Sequence, residues 1–231
     1  MQNKKSYDPG MAWLLHSKKF KENSAICTIL TEKKGKLSVL INGTNSKKKR
    51  ALLSPFQGLW LEYQDTGSLK KVTALESCNI NFRLYGTNSI CGLYLNELLI
   101  KTLPEEESVT AITNAYCSCL QKMCNDKKPA HALRSFEMIL LTEIGYGLPF
   151  DQIQSSNKQN FLYCYEGGFV EVDQPQENSF AKNHLEKIIA QEWQDPIVNN
   201  IAKKLFRQAM QPVLNYKPLK CKELFQDIVL A

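Results

Sequence analysis

Between residues 12 and 77, short apolar stretches that alternate with polar residues are cut at close intervals by turn-forming clusters. This punctuation restricts the first part of the chain to β-structure. Ala12–His16 reads AWLLH and is followed by SKKFKEN, a polar turn. Ser24–Thr31, SAICTILT, is rich in β-branched residues and is bounded by EKKGK, whose Gly35 suits a hairpin. Lys36–Ile41 alternates and stops at NGTNS, a strong turn signal. A longer connection, KKKRALLSPFQ, leads to Gly58–Gln64, GLWLEYQ, which alternates again. After the tight turn Asp65–Ser68, the stretch Leu69–Ser77 supplies the last strand. Five short strands without a crossover helix of convincing length suit a small closed barrel, because closure removes exposed edges. The OB-fold is the five-stranded version, and its loops commonly hold single-stranded nucleic acid. An SH3-like barrel fits the strand count nearly as well, so the pattern does not choose between them.

From about residue 82 the periodicity becomes helical. Ile90–Leu103 spaces its leucines for a helix and ends at Pro104, and Glu105–Glu107 bring negative charge to the start of the next helix. AITNAYCSCLQKM also reads as helix. Pro129–Ile144 enters on proline and leaves on Gly145. Residues 145–179 are loop-like, with FLYCYEGGFVEV as a short hairpin. Asp195–Leu214 is amphipathic, and CKELFQDIVL makes a last helix. The expected class is therefore α+β, with a barrel over residues 1–81 and a helical domain over 82–231. Nothing resembles a signal peptide or a membrane span, so a soluble, cytoplasmic protein is expected.

Charge follows the same division. Residues 1–80 hold 14 Lys/Arg against six Asp/Glu, whereas residues 81–231 hold 15 against 17. A polyanion contact is thus expected on the first part. The cations fall at connections: Lys18, Lys19 and Lys21; Lys33, Lys34 and Lys36; Lys47, Lys48, Lys49 and Arg50; Lys70 and Lys71. Any one of them reads as a solvated side chain, but the set on a closed barrel favours a phosphate-binding groove. Among the interleaved aromatics, Trp13, Phe56 and Trp60 are expected in the core. Phe20, in the lysine-rich turn, is the candidate base-stacking ring.

Catalytic patterns are missing from the sequence. His16, His131 and His184 lie in different elements, and no H-E-x-x-H, P-loop or G-x-S-x-G motif occurs. Cys117, Cys119 and Cys124 lack the C-x₂-C pairing of a zinc site and read as small apolar residues of a helix. No metal, no cofactor and no enzymatic activity are expected.

Several stretches in order resemble the bacterial RecO recombination-repair family: WLLHSKKFKENS, TEKKGKLSVLINGTNSKKKRALLSPFQGL, CGLYLNELL, ALRSFEMILLTEIGYG and LNYKPLKCKELFQDIV. The resemblance implies an N-terminal OB-fold followed by a helical domain. It also implies binding of single- and double-stranded DNA, annealing of complementary strands, and action with RecR to help RecA load onto DNA coated by single-stranded DNA-binding protein (SSB). Arg134 matches a position associated with the acidic SSB tail, and its plain alternative is a surface pairing with Glu137. Some members carry a four-ligand zinc module, here in residues 147–180, but this chain offers only Cys164 there and His184 beyond it. That insertion is expected to be held by Phe150, Phe161, Tyr163 and Phe169, or to be mobile. A second basic strip, Lys203, Lys204, Arg207, Lys217, Lys220 and Lys222, would extend the DNA surface. The rival readings are an RNA-binding OB protein and a partner-recruiting scaffold.

Overall fold

The computed structural model describes residues 6–7, 10–126 and 129–221. The expected last helix beyond Cys221, with Lys222, lies outside the described residues. The chain divides into two compact units, residues 1–127 with 219–231, and residues 128–218.

The first unit contains strands β1 (Ser6–Tyr7), β2 (Met11–Phe20), β3 (Ser24–Thr31), β4 (Gly35–Asn42), β5 (Gln57–Gln64) and β6 (Lys70–Asn81). β5, β2, β3, β4 and β6 neighbour one another in that order, and β6 pairs back to β5, which closes the barrel. β1 adds two residues to the outside of β5. β4 and β6 run parallel, the other ladders antiparallel. A short helix α1 (Lys47–Leu52) fills the connection before β5, capped by the Ser46 hydroxyl, which accepts from the Lys49 amide. This closure is that of the OB-fold, which settles the choice the strand count leaves open. The barrel interior is apolar, with Leu14, Ile29, Val39, Leu59, Leu61 and Tyr63 buried together.

Two expectations need correction here. The segment SKKF is strand, not turn: β2 pairs with β3 as far as Phe20↔Ser24. A bulge between Leu14 and His16 lets Leu14 and Leu15 both be buried, and from His16 onward every β2 residue is exposed. The polar half of β2 therefore reads as turn in sequence although its ladder is complete. Trp60 is 45% exposed, because β5 turns Leu59, Leu61 and Tyr63 inward and leaves Trp60 and Glu62 on the other face. Trp13 and Phe56 are buried, as expected.

Helices α2 (Thr87–Thr102) and α3 (Thr110–Asn125) belong to the same compact unit as the barrel. Asn96 of α2 donates to the Leu15 carbonyl at 3.0 Å, and the buried Tyr116 hydroxyl of α3 donates to Asn96 at 2.8 Å. The Tyr116 ring also meets Trp13 edge-on. The acidic run lies ahead of α3 and does not start it, since that helix begins at Thr110. Glu105 instead bridges Lys36 and accepts from the Ser38 hydroxyl at 2.7 Å, while the Glu106 amide donates to the Lys36 carbonyl.

The second unit contains α4 (Ala130–Glu143), α5 (Asp151–Gln154), β7 (Asn160–Cys164), β8 (Gly168–Val172), β9 (Phe180–Ala181), α6 (Lys182–Ile189) and α7 (Pro196–Val213). The expected hairpin is β7–β8, and β9 adds a third strand beside β7. Phe169 stacks on Phe150 and meets Phe161 and Tyr163 edge-on, so the four expected rings do pack together. Asp195 caps α7 by accepting from the Ile197 and Val198 amides. The buried Trp193 ring beside it donates to Ser135 of α4.

Candidate nucleic-acid interface

The β2–β3 hairpin tip and the segment leading into α1 are stitched together by Asn23. Its carbonyl accepts from the Gly43 and Thr44 amides, and its side-chain oxygen accepts from the Asn45 amide at 3.0 Å. The Ser24 hydroxyl closes the same corner on Asn42 at 2.8 Å. Two lysine groups that are far apart in sequence therefore share one end of the barrel. Lys18 and Lys19 end β2, Lys21 sits in the turn, and Lys47, Lys48 and Arg50 project from α1, all exposed. Lys49 is half-buried and donates to the Asn42 carbonyl at 2.8 Å, so it braces the corner. Among the described residues, no ion pair neutralises Lys18, Lys19, Lys21, Lys47, Lys48 or Arg50. Phe20 is 37% exposed with the Lys21 ammonium 5.5 Å from its ring centre, which leaves a ring face at the same tip. Asn23 has no individual signal in the sequence; its role follows from where the two turns meet.

The remaining barrel cations are placed differently. Lys33 and Lys34 are exposed at the opposite turn, between β3 and β4. Lys36 is half-buried and donates to the Ile100 carbonyl at 2.8 Å. Burial lowers its pKa while Glu105 works to raise it. Lys70 is 3% exposed and paired with Glu106 at 2.7 Å and Asp65 at 3.0 Å. The hydrogen bond that Lys70 donates to Glu106 leads the causes that raise its pKa above the ordinary lysine value. Lys36 and Lys70 thus hold the chain together around Glu105 and Glu106, and they are not available to phosphate as they stand. Lys71, next to Lys70 on β6, is exposed. The turn between β5 and β6 carries Asp65 and no cation, so of the two loops with which OB-folds commonly grip oligonucleotides only the β2–β3 tip is basic.

In the second unit, Lys203 and Arg207 lie one turn apart on the exposed side of α7, and Lys217 is exposed beyond it. Lys220, in the first unit, is exposed, and its backbone amide donates to Glu97 at 2.9 Å. Arg134 is 5% exposed and pairs with the equally buried Glu137 one turn along α4. The pair expected as a surface alternative is therefore an interior one, and the Arg134 Nε–H is buried with no hydrogen-bond partner among the described residues. No group of three or more His, Cys, Asp and Glu side chains among the described residues is placed to hold a metal. No helix among them is long and apolar enough to cross a membrane.

Residues 10–81 match the family "Recombination protein O N terminal", and residues 84–184 match "Recombination protein O C terminal". The DNA repair protein RecO of Salmonella typhimurium is 32% identical over 226 residues, covering 94% of this chain and 93% of that one. The chain belongs to the RecO family. The RecO proteins of Salmonella typhi and Salmonella agona match at the same 32% over the same extent. The two RecO matches change over between residues 81 and 84, where β6 ends and the helices begin. Compactness groups α2 and α3 with the barrel. RecO-family membership places the chain among proteins of DNA repair and recombination.

Proposed function

We propose that this chain is a non-catalytic recombination mediator that binds single- and double-stranded DNA at the basic tip of its barrel and anneals complementary strands. The observation that carries the reading is the un-neutralised group Lys18, Lys19, Lys21, Lys47, Lys48 and Arg50, gathered at one end by Asn23. Phosphates of two strands held there repel each other less, and base pairing can proceed. Each phosphate contact releases counterions, so binding weakens as salt rises. Contacts of this kind position DNA without reading its sequence. Lys33, Lys34, Lys71, Lys203, Arg207, Lys217 and Lys220, exposed elsewhere on the two units, would add weaker phosphate contacts.

With RecR, the chain helps RecA load onto SSB-coated single strands at the nucleoid. The SSB tail is recognised in the helical unit at Arg134, whose Nε–H has no partner among the described residues, and because Arg134 is buried against Glu137 the tail carboxylate must displace that pair to reach it. The test is annealing of complementary strands coated with cognate SSB, across a salt series. Acceleration that needs the SSB tail and fades with salt is expected. No acceleration by folded protein would contradict the annealing role, and a marked preference for RNA of the same sequence would favour the RNA-binding alternative.

A further inference from the structure

Two tyrosines from separate segments of the second unit stack at its surface, and a third lies near them. Tyr146 lies in the connection after α4, Tyr165 in the β7–β8 turn, and Tyr216 just beyond α7. The rings of Tyr146 and Tyr165 stack with centres 5.9 Å apart and planes 21° apart. The Tyr146 hydroxyl beside it is the first cause that raises the Tyr165 pKa, and Tyr216 adds to it. Yet the group is not core: Tyr165 is 44% exposed and Tyr216 73% exposed. A stacked pair that served only to fill the interior would hide its faces.

The backbone under Tyr216 is unusual as well. Asn215 and Tyr216 both take left-handed conformations, with φ of 51° and 57°. Two successive non-glycine residues in that region are costly, and the chain persists in it because the Tyr216 amide donates to the Gln211 carbonyl at 2.8 Å. That cost presents an exposed ring. On the other side, Gln208 of α7 donates to the Tyr163 carbonyl at 2.8 Å, which fixes α7 beside the strand leading to Tyr165. Arg207 precedes Gln208 on α7 and Lys217 follows Tyr216, both exposed, Lys203 is exposed one turn further back along the helix, and Glu166 lies in the β7–β8 turn.

We propose that Tyr146, Tyr165 and Tyr216 form a base-stacking platform for single-stranded nucleic acid, with Lys203, Arg207 and Lys217 on its phosphates. The inference deepens the DNA-binding reading and rests on it. Every base has a π-face, so such a platform tolerates any sequence, but a duplex keeps its bases stacked inside and cannot use it. The platform therefore separates single from double strands, which the phosphate contacts of the barrel do not.

The test uses the full chain across a salt series and measures anisotropy with three ligands: an oligo-dT, an abasic strand of the same length, and a duplex. Tyr165→Ala and Tyr216→Ala are compared with Tyr165→Phe and Tyr216→Phe. The alanine variants should lose at least about fivefold in dT affinity, the lower end of base–aromatic stacking. They should keep wild-type affinity for the abasic strand and the duplex and an unchanged salt slope, and phenylalanine should restore dT binding. Unchanged dT affinity in both alanine variants overturns the platform, as does an equal loss on all three ligands. If wild-type protein binds none of the three, the DNA reading itself fails, and the platform with it.

Discussion

Gly35 opens β4 at φ +63°, and a Cβ placed there would come 1.8 Å from the Glu107 carbonyl oxygen. Both the conformation and the crossing backbone exclude a side chain. Gly35→Ala is expected to lower unfolding free energy by about 2 kcal/mol or more, measured by urea denaturation. Arg134 and Glu137 give a second test. Removing the guanidinium takes from the buried Glu137 carboxylate the positive charge that Arg134 supplies, so Arg134→Ala should cost about 3–5 kcal/mol. The double variant Arg134→Met/Glu137→Met should recover most of that loss in the same assay, because it removes both desolvated charges. A loss of SSB-tail binding with recovered stability would then separate the recognition role of Arg134 from its structural one. The helical spacing of Arg134 and Glu137 is legible in the sequence, but their burial is not, since it depends on what packs over α4.

The strands and main helices are legible because each carries its own period and its own turn residues. Gly58–Gln64, Ile90–Leu103 and Asp195–Leu214 lie within a few residues of β5, α2 and α7. What local pattern misleads on is the polar half of β2, whose residues read as turn while their hydrogen bonds belong to β3. The same holds for Glu105–Glu107, which look like a helix start, whereas Glu105 and Glu106 instead pair with Lys36, Ser38 and Lys70 some seventy and thirty-five residues earlier. Long-range partners of this kind leave no local trace. They explain why Lys36 and Lys70 look like DNA ligands in sequence but are held inside the unit. Another such tie joins α2 to the chain beyond residue 218: both oxygens of Glu97 accept backbone amides, from Lys220 and Cys221, each at 2.9 Å. Burial alone would raise the Glu97 pKa, but these two donors and Lys101 outweigh it and hold it below the ordinary value of 4.5. A carboxylate depressed in the folded state contributes stability above its unfolded pKa and loses it as pH falls through the folded one. The stability gap between wild type and Glu97→Gln should therefore be fully present near neutral pH and close on acidification below about pH 4.5, followed by denaturation at stepped pH.

Along the chain, the division of charge between a basic first part and a nearly neutral remainder is the feature of the sequence that most directly points to a polyanion. The fold refines it. Of twelve barrel cations named from sequence, six exposed ones are concentrated at one end, while Lys36, Lys49 and Lys70 serve the structure. The gathering depends on the Asn23 bonds, so Asn23→Ala should weaken DNA binding without changing net charge, by loosening the tip against α1. The most direct test is the salt dependence of single-strand affinity for wild type and for Lys18→Glu/Lys21→Glu/Lys47→Glu/Lys48→Glu/Arg50→Glu, with Lys49 left in place as the brace. Reversal should weaken binding at low salt and flatten the slope of log affinity against log salt by about 0.7 for each phosphate no longer neutralised. An affinity and a slope equal to those of wild type, in a protein with an unchanged melting temperature, would contradict DNA binding at the barrel tip.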